Sequence, residues 1–393
     1  MSETWDVVIV GGAVMGASAA YWLTRTDPGL RVLVVEMDPS YARAATALSV
    51  ASVRQQFSNP VNVAVSRFGV GFIRDFQASL GHDVGIGSLG LKENGYLFLA
   101  GTPEGAALMT DLATMQRGLG AATEVLDPAA LAAKFPWMQF DDVAAGSFGP
   151  RDEGWFDNMG LLNGFRAAAR AQGAVFRTDR VTGLHRAGAR LTGVQLAAGG
   201  TITAGAVINA AGTRGAEVMR MAGEDIPVEP RKRTVFVIDA PNARHADAPL
   251  LIDHTGYYMR PEHNHWIIAT VPSIDPAVDP EDFEPDADQF EDVIWPLVYA
   301  RAPGFDAVKV VRLWVGQYDY NTLDQNAIVG RWPGIDNLYV LNGFSGHGLQ
   351  QSPAMGRGIA ELVTGGRYQS LDLSDLGAER LRTGRPFLEA AIV

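Results

Sequence analysis

The chain opens on a β-branched run at residues 5–10 (WDVVIV), apolar without a break from Val7, then a glycine turn, a helix-forming stretch at 13–24 and a second such run at 31–36, apolar over Val32–Val35. Runs of this length without alternation predict parallel strands buried on both faces, so the opening reads as a βαβ unit. Phe68, Phe72, Ile73 and Phe76 recur at helical spacing and predict a helix over 66–80. ENGYLFLA reads as a strand, a helix follows Pro103, and VLDPAALAAKF gives a short helix with Asp127 as its N-cap. A helix is predicted at 160–172, followed by strands near Val175, Val181, Val194 and Ile202, and a short strand beginning at 207–209 that ends in NAAG.

From 228 to about 320 the pattern changes. RTVFVID, GYYMRP and HWIIATV alternate with Pro/Asp-rich loops and predict an antiparallel sheet. A long acidic stretch, SIDPAVDPEDFEPDADQFED, leads into a helix. A strand at 338–341 and a helix over 350–364 close the pattern. Because βαβ-type segments are separated by antiparallel ones, the expected organisation is interleaved. A discontinuous domain of 1–84, 147–225 and 321–393 is interrupted by a second one of 85–146 and 226–320.

With 393 residues and 47% hydrophobic composition the chain can bury a large core. A formal net charge of −12 without a basic patch argues against nucleic acid. The chain contains no Cys, which excludes disulfides, thiolate metal sites, cysteine nucleophiles and cysteinyl-linked cofactors. No run approaches the ~18 apolar residues of a spanning helix. The N-terminus enters a strand with no leader pattern, so the expectation is a cytoplasmic protein without a membrane span.

Chemistry concentrates in two glycine-rich turns. In DVVIVGGAVMGASAAYWL the dinucleotide fingerprint G-x-G-x-x-G falls on Gly11, Ala13 and Gly16, with Gly12, Val14 and Met15 between them. Gly11 permits the tight turn, Gly16 the close approach of helix and strand, and the helix N-terminus a site for pyrophosphate. Ala13 departs from the pattern where backbone and phosphate come closest. Glu36, followed by Met37, lies where a carboxylate would bind ribose hydroxyls. FAD is favoured over NAD by two later elements. Ala211 and Gly212 sit at the tip of VINAAGTRG, and Gly343, Gly346 and Gly348 clear room for a flat ring ahead of a helix that begins near Gln350. That helix N-terminus would stabilise negative charge at the ring.

The VIVGGAVMG…VVE start, NAAG and GFSGHG together resemble the D-amino-acid oxidase superfamily, which includes sarcosine and glycine oxidases. SVASVRQQFS, PRKRTVFV, GQYDYNTLDQNAIVG and GFSGHGLQQSPAMGR look closer still to its FAD-dependent oxidoreductase domain-containing protein 1 branch. The resemblance covers essentially the whole chain. It implies an α/β (α+β) fold, with a discontinuous Rossmann-like FAD-binding domain and a substrate domain on a mainly antiparallel sheet.

It also implies roles for single residues. Thr46, Ser49, Ala51 and Arg54 belong to the loop that lines flavin and diphosphate, and the Val181 backbone holds adenine. His347, Gly348, Leu349 and Gln350 lie beside the ring, Tyr258 in the substrate pocket and Tyr318 close to the flavin. Arg54, Tyr258, Tyr318 and Gln350 are the expected catalytic set.

Departures from the family pattern matter as much. The stretch that carries the flavin-linking cysteine of sarcosine oxidases reads VGQYDYN here, and ATALSVASVR lacks the linking histidine of dimethylglycine dehydrogenases, so noncovalent FAD is expected. Phe57 and Gln350 occupy the positions of the family's carboxylate-binding arginine and lysine, and Ile267 that of its oxygen-activating lysine. Arg260 and Arg312 are the candidate replacement clamps, with Trp314 lining the pocket. The His263/His265 pair in PEHNH reads as a hairpin tip rather than a metal site, and no metal is expected.

The expected activity is hydride transfer from a small amine or amino acid, with secondary or N-substituted amino acids favoured. Hydride would pass to flavin N5, and the imine would hydrolyse. The electron acceptor is oxygen or another compound, and the Ile267 position favours a dehydrogenase. The alternatives are a 2-hydroxy acid dehydrogenase, which would want a base over the flavin, or a FAD-stabilised assembly protein with little catalysis.

Overall fold

A computed structural model describes residues 3–389 and contains two large sheets. In the first, the strands run in the order Ile328–Arg331, Leu338–Asn342, Thr201–Asn209, Thr4–Val10, Val32–Glu36 and Val175–Thr178. All neighbours are parallel except the first pair. Strands Val181–Ala187 and Arg190–Leu196 extend from Thr201–Asn209 as an antiparallel meander.

The predicted βαβ opening is present as Thr4–Val10, helix Val14–Thr26 and Val32–Glu36. Val7, Val8 and Ile9 are buried from both faces, as are Leu33 and Val34. Each such side chain contributes ~1.5–3 kcal/mol relative to exposure.

The second sheet has the order Lys309–Asn321, Val228–Asp239, His265–Thr270, Tyr257–Glu262, Leu250–Ile252, Tyr96–Ala100, Ala145–Gly149, Glu124–Leu126. It is antiparallel except where Leu250–Ile252 meets Tyr96–Ala100. Strand Ala145–Gly149 pairs along its whole length within this sheet. The expected boundary at 146/147 falls inside this strand.

The helix expected over 66–80 starts earlier, at Pro60, whose fixed φ suits a first helical position. It breaks at Asp75 (φ −101°, ψ 41°) into Pro60–Arg74 and Phe76–Leu80. The separate strands expected near Ile202 and at 207–209 are one continuous strand, Thr201–Asn209. Trp155 and Trp266 are buried, whereas Trp295 is 37% exposed.

Three helices position the site: Val14–Thr26, Pro60–Arg74 and the C-terminal Gly348–Gly365. The first and last cross closely enough that a Cβ on Gly356 would lie 2.2 Å from Ser18 Oγ, and Ser18 donates to the carbonyl of Ser352 at 2.7 Å. Pro60–Arg74 is held to the C-terminal helix by a similar contact, with Gly69 against the Gln350 carbonyl.

Candidate active site and cofactor cleft

A cleft of about 610 Å³ runs from the carboxyl ends of the first sheet's strands to the face of the second sheet. At one end the backbone turns on Gly11 (φ +94°), whose N–H donates to Val35 at 2.9 Å. A Cβ there would lie 2.5 Å from the Ala210 carbonyl, and one on Gly16 would lie 1.9 Å from the Gly11 carbonyl. Both positions therefore require glycine if strand and helix are to meet this closely.

Ala13, Val14 and Met15 line the cleft at the start of the first helix, where the first N–H groups have no intrahelical partner. Val14 N–H donates to Thr46 Oγ1 at 3.3 Å. The Glu36 carboxylate faces the cleft while accepting from Gly12 N–H at 2.7 Å and Asp38 N–H at 2.8 Å. Burial raises its pKa despite these donors. Met37, Ser49 and Val181 line this half as well.

The other half is framed by Ala211 and Gly212 on one side and Gly346, His347, Gly348, Leu349 and Gln350 on the other. Side chains built at Gly212 or Gly346 would meet nothing within 4 Å, so both leave open space beside the cleft. The Gln350 amide accepts from Arg54 N–H at 2.8 Å and ties this turn to the 46–54 loop. Asp319 holds it from below, since its Oδ2 accepts from the N–H of Gly343 at 2.6 Å and of Phe344 at 3.2 Å. Burial pushes the Asp319 carboxyl up to about 6.

Arg54 is 2% exposed. It donates to Gln56 O at 3.0 Å and to His347 Nε2 at 2.8 Å, and its guanidinium lies 4.4 Å from the Phe57 ring centroid and 5.0 Å from that of Phe98. An arginine cannot accept, so His347 accepts at Nε2 and its remaining proton sits on Nδ1. Burial, reinforced by the Arg54 charge, pushes His347 down to about 3. Tyr258 and Tyr318 close this end. Burial raises Tyr258 to about 12 and Tyr318 further, so both are neutral phenols.

Several expected residues do not reach the cleft. Gly12, Gly16, Ala51 and Gly343 shape its walls without lining it. Phe57 is fully buried beneath Arg54 and His347. Arg260 donates to Val50 O at 3.0 Å, pairs with Glu262 and lies over the Trp155 ring, so it is a structural ion pair. Arg312 is exposed and packs on Trp314, whose indole N–H donates to Leu48 O. Neither arginine lines this cleft, nor does Trp314, which braces the 46–54 loop. His263 forms the expected hairpin tip between Tyr257–Glu262 and His265–Thr270.

Arg233 was not among the expected site residues, yet it lines the Tyr258–Tyr318 end with its guanidinium 5.0 Å from the Tyr318 ring. Period-2 alternation places Arg231, Arg233, Val235 and Val237 on one face of their strand, and that pattern was the available signal. Glu153 was missed too. Fully enclosed, it accepts from Gln55 N–H and the Gln56 amide and is pushed up to about 7 by burial.

The family pattern described as FAD dependent oxidoreductase matches residues 6–362. The chain belongs to the DAO family of FAD-dependent oxidoreductases. Among relatives of known name, FAD-dependent oxidoreductase domain-containing protein 1 of Xenopus laevis is 40% identical over 427 residues, covering 100% of this chain and 85% of that protein. The fold matches L-proline dehydrogenase from P. horikoshii with a TM-score of 0.85 at 25% identity, covering 98% of this chain and 100% of the other. Glycine oxidase from Geobacillus kaustophilus matches with a TM-score of 0.80 at 22% identity, covering 96% and 98%. Residues 6–362 include both glycine turns and every residue named around the cleft, so the family's cofactor chemistry has a fitting site here. No described helix is long and apolar enough to cross a membrane.

Proposed function

We propose that the chain binds FAD noncovalently along this cleft and oxidises a C–N bond of a small amino acid, with a secondary or N-substituted amino acid favoured. Adenosine would lie at Glu36 and Val181, diphosphate at the N-terminus of Val14–Thr26, and the ring between Ala211–Gly212 and Gly346–Gln350. In this reading 1–84, 150–225 and 321–393 form the cofactor domain, and the remainder forms the substrate domain. FAD supplies the two-electron sink, accepting a hydride from the substrate carbon.

The protein's own residues bind and orient. Tyr258 and Tyr318 offer neutral hydroxyls, and the N-terminus of Gly348–Gly365 presents N–H groups and a positive dipole end to negative charge. Arg54 braces the wall beside the ring.

One observation carries the choice of an amine: the histidine lining the reacting end is not available as a base. His347, the histidine there, is held down to about 3 and spends Nε2 on Arg54. A neutral amine needs no proton removed before hydride leaves, whereas an alcohol would want a base. The open cleft also weighs against an assembly protein with little catalysis. The likeness to an L-proline dehydrogenase supports a secondary amino acid and an acceptor other than oxygen.

Anaerobic addition of N-methyl amino acids, imino acids, D-amino acids and 2-hydroxy acids to FAD-loaded protein tests the reading. Bleaching by one amine class, with slow recolouring in air, is expected. Bleaching by hydroxy acids alone would overturn it.

A further inference from the structure

A second cavity of about 500 Å³ shares Arg233, Ile252 and Tyr318 with the cofactor cleft. Two of its amide side chains are already engaged. Gln56 donates to Tyr96 O and Glu153 and accepts from Ser147, while Gln116 donates to Phe57 O and accepts from Thr123. Asp253, His254 and Tyr320 also line it, and its apolar part includes Phe98, Leu108, Met109, Leu112 and Val271.

Arg233 stands at the junction, 7% exposed. Its Nη1 donates to Asp275 Oδ1 at 2.7 Å and its Nη2 to Asp275 Oδ2 at 2.9 Å, the forked geometry of a guanidinium on a carboxylate. Asp275 belongs to the irregular acidic stretch of residues 271–289, whereas Arg233 is fixed in a paired strand. That stretch is tied down elsewhere, by Lys232 to Asp282 and by Thr234 to Asp286 N–H. It does not depend on Asp275 to stay in place.

We propose that Arg233 is the carboxylate-binding residue of this site, that Asp275 is its internal stand-in, and that the substrate is a carboxylate whose apolar remainder extends into the second cavity. The proposal rests on the amino acid reading above. A buried guanidinium stripped of its carboxylate is costly, so an incoming acid must replace Asp275 rather than add to it. Exchanging one carboxylate for another is nearly neutral, which leaves selectivity to the apolar remainder. Burial contributes about fourfold in affinity per methylene. Short acids therefore bind weakly, and long apolar ones tightly.

The test is a titration of FAD-loaded protein with acetate, butanoate, hexanoate, 4-phenylbutanoate and 4-phenylbutylamine, followed by the flavin absorption band. The acids are expected to shift the band with affinity rising with length, and the amine is not. Asp275→Asn should tighten every acid about tenfold. Arg233→Met should weaken them by about tenfold to a hundredfold, with Arg233→Lys between. Leu112→Trp should weaken the long acids and leave acetate unchanged.

Affinity independent of length, or unchanged by Asp275→Asn, overturns the proposal. The Asp275 arm stands even if the Arg233 variants fail to fold, because Asp275 is partly exposed. Acid binding without bleaching by any amine supports the clamp and sinks the oxidation reading. Bleaching by amines without acid binding does the reverse.

Discussion

The guanidinium of Arg54 donates to Nε2 of His347 at 2.8 Å, and this contact fixes both the tautomer and the charge of the histidine beside the cofactor cleft. A histidine at the mouth of a catalytic cleft invites a role as base, but burial and the Arg54 charge remove it. The same arginine accounts for the burial of Phe57, which lies under its face.

Replacing Arg54 with Met should move the His347 titration upward from about 3 without reaching its ordinary 6.5, because burial is the larger cause and remains. NMR titration of the imidazole, assigned through His347→Gln, reads this. A wild-type His347 that titrates near 6.5 would contradict the environment described.

Glu36→Ala should weaken FAD binding by about tenfold to a hundredfold, the range for losing a hydrogen bond to a charged group. The carboxylate also anchors Gly12 N–H, so Glu36→Gln should fall between the two. Quenching of flavin fluorescence on titration into apoprotein measures both.

Two glycine-to-alanine changes should have opposite signs. Gly16→Ala drives a Cβ into the Gly11 carbonyl and should cost about 1–3 kcal/mol or more, with loss of FAD. Gly71→Ala, in the interior of Pro60–Arg74 with nothing within 4 Å of the added carbon, should stabilise by about 0.4–1 kcal/mol. Urea unfolding of the two variants distinguishes them.

Glu153 sets a pH trend. Its carboxyl is raised from 4.5 to about 7, so between those values the folded protein holds a proton that the unfolded chain has released. Its contribution to stability therefore falls as pH rises through that window and levels off above it, by a total on the order of 1–3 kcal/mol. Urea unfolding from pH 4.5 to 8 should show a steeper decline for wild type than for Glu153→Gln. Equal slopes would show that the carboxyl ionises normally.

Local patterns made the first sheet legible. Unbroken runs at Val7–Val10 and Val32–Val35 and the glycines at 11 and 16 carry the strand–turn–helix geometry in a few adjacent residues. Which arginine lines the cleft was not legible, because an arginine's placement depends on its partners. Arg260 had a visible one, since Glu262 two residues along the same strand faces the same side. Arg233 did not. Its partner Asp275 is 42 positions away, and its place beside Tyr318 depends on the register of two long strands. The break at Asp75 likewise follows no breaker residue, because apolar spacing continues through Phe76.

The central claim is oxidation of a C–N bond, and anaerobic single-turnover stoichiometry tests it most directly. FAD-loaded protein would be mixed with a bleaching acyclic N-substituted amino acid, whose imine frees its amine on hydrolysis, and the free amine and carbonyl product counted against flavin reduced. One amine and one carbonyl released per flavin bleached is the predicted result. Full bleaching with no amine released, or a fully loaded flavin that no amino acid reduces, would contradict it.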